Sequence, residues 1–113
     1  MNKKYIIQKN EEIAKIVKTG IKEFSKCFII YSIESNLDYS KFCISVSRKI
    51  GKAHVRNKLK RRVKDILMKN KIDLNRKYVI IIRKEALDAS YEELKNELLN
   101  KLKGELKWKI IRK

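Results

Sequence analysis

The densest run of chemically active side chains in this chain lies between Arg48 and Lys64, with the sequence RKIGKAHVRNKLKRRVK. Nine of these residues are Lys or Arg, none is Asp or Glu, and the first acid follows at Asp65. A solvated charged surface normally mixes both signs of charge. An acid-free run of this density therefore predicts a surface that binds a polyanion through its phosphates.

The apolar residues in and after this run recur with helical spacing, so we expect a helix from about Ala53 to Asn70. At about 100° per residue, one stripe is apolar, formed by Val55, Leu59, Val63, Ile66 and Leu67. The residues pointing away from it are Asn57, Lys60, Arg61 and Lys64, with Arg56, Lys58 and Arg62 on the flanks. The sequence thus predicts a helix with one face in a core and the other presenting cations.

The composition supports the same interpretation. The 113 residues carry a formal net charge of +17 and a pI near 10.0, which makes the folded state repel itself unless it binds an anion. Nucleic acid is the favoured partner, ahead of an acidic membrane surface. We expect one domain, residues 1–113, in the cytoplasm, because the sequence shows no membrane-spanning run and no signal-like N-terminus.

The other residues capable of chemistry do not form a reactive group. Cys27 and Cys43 lie in strand-like segments without metal-ligand spacing, and we expect reduced core thiols. His54 opens the basic helix, where a phosphate contact or a surface position is favoured over a catalytic base. We therefore expect no catalytic residue and no metal ligand in the protein itself.

The sequence of the first 20 residues predicts an arm followed by a short helix. Residues 1–9 form an arm that can dock through Tyr5, Ile6 and Ile7. Asn10 is the expected N-cap of the helix, and Gly20 its expected left-handed C-terminal residue. The apolar stripe of this helix consists of Ile13, Ile16 and Val17.

Three strands are predicted from β-branched and aromatic content. The first two, at 27–33 and 41–48, suggest an antiparallel hairpin with one buried face. Gly51 permits a tight turn into the basic helix, or amides that take an anion. The third strand, at 77–84, contains a continuous apolar run typical of a central strand buried on both faces.

The C-terminal helix begins at a predicted capping box of Ser90 and Glu93. Its leucines recur at helical spacing as core positions: Leu94, Leu98, Leu102 and Leu106. The tail after Gly104 extends this helix, pairs as a short strand or frays. The element order is α-β-β-α-β-α, with room for one small extra strand, which indicates an α+β layer of helices on a sheet.

The segment from Ser45 to Arg61, SVSRKIGKAHVRNKLKR, closely resembles the signature of the bacterial ribonuclease P protein subunit. The flanking segments are similar too, with the helix start at 9–12 and the strand and helix at 78–83 and 91–94 in register. The resemblance covers almost the whole chain. It implies a mixed sheet packed by helices, similar to the second domain of ribosomal protein S5. It also implies a left-handed crossover, although right-handed ones are the general rule.

The resemblance further implies a role in removing the 5′ leader of precursor tRNA. In this family the catalyst is a partner RNA that requires magnesium, and the protein itself binds no cofactor. The implied contacts with the catalytic RNA are Arg48, Lys49, Lys52, Arg56, Asn57, Lys58, Lys60, Arg61 and Lys64. The implied leader cleft lies between the first helix and the sheet and is lined by Ile13, Val17 and Tyr31. The implied partners are this RNA and precursor tRNA, with no small-molecule substrate and no membrane.

The chain departs from the family pattern at several positions. Ile13 and Val17 stand where aromatic residues are common, so hydrophobic contact is kept while stacking is lost. Lys58 replaces an Arg, which keeps the charge and loses the bidentate fork. Leader affinity is therefore expected to depend more on Tyr31 and on the cations.

Three other functions are weighed against this one. A non-catalytic RNA-binding protein would share the basic helix. A self-sufficient nuclease would need a general base or metal-binding acids near the basic surface, where Asp65 stands alone. A membrane-surface protein would need a long amphipathic helix with exposed apolar residues, and the Val55 to Leu67 stripe is better explained as core.

Overall fold

The computed structural model describes residues 3–70 and 75–111, with side chains described as far as Leu102. The helices are α1 (Asn10–Thr19), α2 (Ala53–Lys69) and α3 (Tyr91–Ile111). The strands are β1 (Ile21–Phe24), β2 (Phe28–Glu34), β3 (Lys41–Val46) and β4 (Arg76–Ile82). Short 3-10 turns precede α1, α2 and α3, at Lys3–Tyr5, Arg48–Ile50 and Lys84–Asp88. The α+β class is confirmed.

The four strands form one mixed sheet in the order β1-β2-β4-β3. β2 is antiparallel to β4, and β3 is parallel to β4. The predicted hairpin between the first two strands is therefore wrong, because β4 lies between them. β4 can separate them because its apolar run is buried on both faces, with Val79 and Ile80 each almost inaccessible. Its predicted central position is confirmed.

The additional strand is β1, a four-residue edge strand that is paired with β2 from Ile21 opposite Ser32 to Phe24 opposite Ile29. Its short, exposed sequence gives no burial pattern that would have predicted it. The chain passes from β3 through α2 to the parallel strand β4. This β-α-β connection is the crossover for which the family resemblance implies a left-handed path. The left-handedness of this crossover stays a prediction.

The two faces of the sheet are covered by different helices. α2 and α3 bury one face in a large core that includes Phe28, Phe42, Tyr78, Val63 and Leu98. α1 covers part of the other face through Ile16, whose side chain is inaccessible to solvent. The N-terminal arm docks along β3, since the Ile7 amide donates to the Phe42 carbonyl at 2.8 Å and Ile6 forms a parallel bridge with Phe42.

Two predicted roles at the ends of α1 are wrong. Asn10 is the first helical residue, and Lys9 occupies the N-cap position without a side-chain hydrogen bond. Gly20 has φ −77° and ψ 168°, which is extended and not left-handed. Glycine is needed there for space, because a Cβ atom would lie 2.5 Å from the Ile16 carbonyl oxygen and 2.7 Å from that of Ser32.

Gly51 does not make the tight turn predicted for it. Its φ of 164° and ψ of −169° are extended, and any residue can adopt them. The turn is made instead by the 3-10 segment Arg48–Ile50, whose Lys49 amide donates to the Ser47 hydroxyl at 3.2 Å.

The capping box of α3 is confirmed in both directions. The Ser90 amide donates to the Glu93 carboxylate at 3.3 Å, and the Glu93 amide donates to the Ser90 hydroxyl at 3.1 Å. Leu94, Leu98 and Leu102 are buried as predicted. The Leu106 side chain lies outside the part of the chain whose side chains are described. The backbone of α3 continues to Ile111, so the tail extends the helix.

Candidate nucleic-acid interface

α2 is held in the core by the predicted apolar stripe. Leu59, Val63, Ile66 and Leu67 are all buried, and Val55 at the first turn is half-buried. The sole acid of α2, Asp65, accepts a hydrogen bond from the Tyr91 hydroxyl at 2.5 Å and pairs with Lys69 at 3.2 Å. The contact with Tyr91 joins α2 to α3. Both contacts engage the Asp65 carboxylate, so it does not pair with the cations between residues 48 and 64.

The nine residues predicted to contact RNA lie on α2 and on the segment just before it. Six of them are exposed: Arg48, Lys49, Lys52, Asn57, Lys58 and Arg61. Three are half-buried: Arg56, Lys60 and Lys64. The structure therefore brings them together on one continuous segment, although their contact with RNA stays a prediction.

This surface, which we call the basic face, has no acidic partner in the described part of the chain. The ion pairs there join Lys69 to Asp65, Lys77 to Glu12, Arg83 to Glu85, and Lys101 to Glu23. None of them involves a Lys or Arg between residues 48 and 64. The basic face consequently presents charge that the rest of the described protein does not neutralise.

The predicted leader cleft beside α1 is the second candidate surface, and we refer to it as the groove. On the α1 side of the sheet, Ile7, Ile16 and Val79 form a buried cluster, against which Ile13 and Tyr31 pack. The structure thus brings together two of the three residues predicted for the leader cleft. Val17 lies on the same flank of α1 as Ile13, is 38% exposed and is not part of this cluster.

Tyr31 is half-buried, and its aromatic ring has a cation near it. The Lys22 ammonium lies 5.8 Å from the ring centroid, and Lys22 and Tyr31 are direct neighbours on β1 and β2. A cation over an aromatic face is favourable, and the combination can engage a base and a phosphate together.

The sequence analysis did not identify the outer part of this groove. Phe24 on β1 is 56% exposed and lies opposite Ile29, on the same face of the sheet as Tyr31. The guanidinium carbon of Arg83 is 4.5 Å from the Phe24 ring centroid. Because β1 was not predicted, nothing in the sequence placed Phe24 beside the groove.

β3 lies between α2 and the cluster beside α1. Burial raises the pKa of the Cys43 thiol, and the positive charge of Lys60 partly offsets that rise. Cys43 packs against the α1 cluster, whereas Lys60 belongs to the basic face. The edge strand β3 therefore separates the helix of the basic face from the α1 cluster.

The cysteines match the predicted core thiols in part, since Cys27 is buried and Cys43 is only half-buried. Both thiols are free. Burial, reinforced by the Glu97 carboxylate, raises the pKa of Cys27 to about 11.

Within residues 3–70 and 75–111 no three His, Cys, Asp or Glu side chains form a group that could hold a metal ion. In the same ranges, every helix is too short or too polar to span a membrane.

Comparison with known proteins identifies the family. The sequence model of the family described as Ribonuclease P matches residues 1–105. The ribonuclease P protein component of Bacillus cereus is 35% identical over 106 residues, covering 91% of this chain and 92% of that protein. A mutant RNase P protein of Staphylococcus aureus superposes with a TM-score of 0.84 at 30% identity, covering 93% of this chain and 90% of that one. The RNase P protein of Thermotoga maritima superposes with a TM-score of 0.80 at 33% identity, covering 86% of this chain and 94% of that one. The chain belongs to the ribonuclease P protein family.

Proposed function

We propose that this protein is the protein subunit of a ribonuclease P holoenzyme that removes the 5′ leader of precursor tRNA. In this proposal the basic face binds the catalytic RNA, and the groove beside α1 binds the leader. The observation that carries it is the basic face itself, in which eight Lys and Arg residues have no carboxylate partner in the described part of the chain.

Phosphate binding follows from the chemistry of these side chains. Lys and Arg neutralise phosphates and release condensed counterions, which gives affinity without reading sequence. The proposed contacts with the RNA are Arg48, Lys49, Lys52, Arg56, Asn57, Lys58, Lys60, Arg61 and Lys64. Asn57 adds an amide that can donate to a phosphate or a base edge.

The structure supports a preorganised basic face. The buried stripe of α2 and the hydrogen bond from Tyr91 to Asp65 hold the helix before any RNA arrives. Binding then costs less conformational entropy than it would on a mobile segment.

In the groove, Tyr31 is the proposed stacking residue for an unpaired leader base, and Ile13 and Val17 are the proposed apolar wall. Stacking on an aromatic ring tolerates any base. That tolerance suits a leader whose sequence differs between precursors. Ile13 and Val17 provide contact area without a ring, so most of the stacking is assigned to Tyr31.

We assign the hydrolysis to the partner RNA and its magnesium ions, as the family resemblance implies. The residues of this chain would bind and orient the two RNAs. The half-buried cations Arg56 and Lys60 lie on α2, which packs against the edge strand β3, and would hold the catalytic RNA at that edge of the sheet.

The test is cleavage of a precursor tRNA by a bacterial ribonuclease P RNA at low magnesium, with and without this protein. We expect cleavage at the mature 5′ end to depend on the protein. Cleavage by the protein alone would place the active site in the chain. Tight RNA binding without stimulation would identify a non-catalytic RNA-binding protein.

A further inference from the structure

A cavity of about 700 Å³ lies between the N-terminal segment, the start of α1 and the connection from β2 to β3. Five lysines line it, against two acids, Glu12 and Glu34. The five are Lys3, Lys9, Lys15, Lys41 and Lys77. The lining therefore carries an excess of positive charge in a concave space.

This cavity is separate from the leader groove. Ile16 faces the sheet, and at about 100° per residue Glu12 and Lys15 lie on one flank of α1. Ile13 and Val17 lie on the opposite flank. Glu12 and Lys15 line the cavity, whereas Ile13, Val17 and Tyr31 do not. α1 therefore separates the cavity from the residues of the predicted leader cleft, and no residue of the basic face lines the cavity.

The charges of the cavity converge on a shared space. Lys77 binds the Glu12 carboxylate. The pKa of Glu12 is lowered, mainly by the hydrogen bond from Lys77 and further by the charges of Lys41 and Lys9. Lys3, Lys9, Lys15 and Lys41 appear in none of the ion pairs of the described residues. An anion in the cavity would relieve the repulsion among them.

The remaining lining is suited to more than a simple anion. Ile6, Ile33 and Leu37 contribute half-buried apolar surface, and Gln8 and Asn36 contribute amide groups. The lining is thus mainly polar and charged, with a smaller apolar part. A nucleotide combines an apolar base, hydrogen-bonding edges and phosphates, and the cavity offers a counterpart to each.

We propose that this cavity is a nucleotide-binding site, with the phosphates on the lysines and the base against Ile6, Ile33 and Leu37. The nucleotide can be free in solution, as a nucleoside triphosphate, or one unit of an RNA strand. Both share the recognised chemistry, and the experiment distinguishes them.

The test compares two double variants of the full-length protein with the parent. Lys9→Gln/Lys15→Gln neutralises two lysines of the cavity and leaves the basic face and the leader groove unchanged. Lys18→Gln/Lys26→Gln removes the same charge at exposed positions outside the cavity. Circular dichroism establishes that each variant is folded.

Binding of ATP and of a short oligoadenylate is measured at constant ionic strength by calorimetry and fluorescence anisotropy. The cavity variant is expected to lose about tenfold or more in affinity for at least one ligand, since two charge-assisted contacts with phosphate are removed. The control is expected to stay close to the parent. A selective loss for ATP assigns a free nucleotide, and a selective loss for oligoadenylate assigns an RNA strand.

Amide chemical shifts locate the bound nucleotide independently of affinity. Ile33 and Leu37 are expected to shift when the ligand is added, and less in the cavity variant. The proposal is overturned if both double variants lose the same factor, or if the shifts fall on α2 and leave Ile33 and Leu37 unmoved. Neither result depends on stimulation of tRNA cleavage, so this proposal and the holoenzyme role fail separately.

Discussion

The hydroxyl of Tyr91, the first residue of α3, donates a hydrogen bond of 2.5 Å to the carboxylate of Asp65 on α2. This contact and Lys69 lower the pKa of Asp65, the hydrogen bond from Tyr91 being the larger cause. The same hydrogen bond raises the pKa of Tyr91. The one acid of α2 thus joins two helices, and the basic face keeps its uniform sign.

Replacing Tyr91 with Phe should lower the free energy of unfolding at neutral pH. Because the pKa of Asp65 is lower in the folded state, its contribution is present above the unfolded pKa, ordinarily 3.8, and is lost as the pH falls through the folded value. Urea unfolding should show the difference from the parent shrinking towards about pH 3. Tyr39→Phe is the control, since no hydrogen bond of its hydroxyl is seen in the described chain. If the two variants change the free energy of unfolding equally, the hydrogen bond to Asp65 does not contribute to stability.

On the basic face, Lys58→Ala and Arg61→Ala should each weaken binding to ribonuclease P RNA. Each should also reduce the slope of log affinity against log salt by about one, because one phosphate contact is lost. Filter binding over a range of salt concentrations measures this slope. Lys26→Ala removes an exposed charge elsewhere and should leave the slope as in the parent. If the α2 variants keep the slope of the parent protein, these side chains do not contact phosphate.

In the groove, Tyr31→Ala should weaken binding of leader-bearing precursor by about 1–3 kcal/mol, the value of one stacked base. Binding of mature tRNA, which has no leader, should change far less. Tyr31→Phe keeps the ring and should restore the precursor affinity. Equal losses for precursor and mature tRNA, measured by competition binding, would exclude Tyr31 from the leader site.

The glycines provide a matched pair for stability. Gly20→Ala forces a Cβ atom to within 2.5 Å of the Ile16 carbonyl oxygen, and overpacking of this kind costs about 1–3 kcal/mol. Gly51→Ala places its Cβ atom 3.4 Å from Val55, an ordinary contact. Since Gly51 is extended, alanine there should be neutral or stabilise by about 0.4–1 kcal/mol. Thermal unfolding of both variants measures the contrast, and similar melting temperatures would contradict it.

Features encoded by nearby residues were predictable from the sequence. The buried stripe of α2 depends on spacing within one helix, and the capping box on residues three apart, Ser90 and Glu93. The burial of β4 follows from its uninterrupted apolar run. The candidate RNA residues could be named because they lie on one continuous segment.

Features that depend on distant partners were not predictable. β2 and β3 look like a hairpin because they are consecutive, yet each pairs with β4. β1 has only four residues and exposes Ile21 and Phe24, so its sequence lacks the alternation of a half-buried strand. The lysine cavity gathers residues from three separate segments, and no local pattern relates them.

The central position of β4 has a consequence for biosynthesis. Translation produces α1, β1, β2, β3 and α2 before the strand that joins β2 to β3. Until residues 76–82 leave the ribosome, β1 and β2 can pair with each other, but β3 has no partner strand, and the core beneath the cationic helix is incomplete. Pairings between distant segments also form slowly. The core that supports the basic face is therefore expected to be completed only late in synthesis.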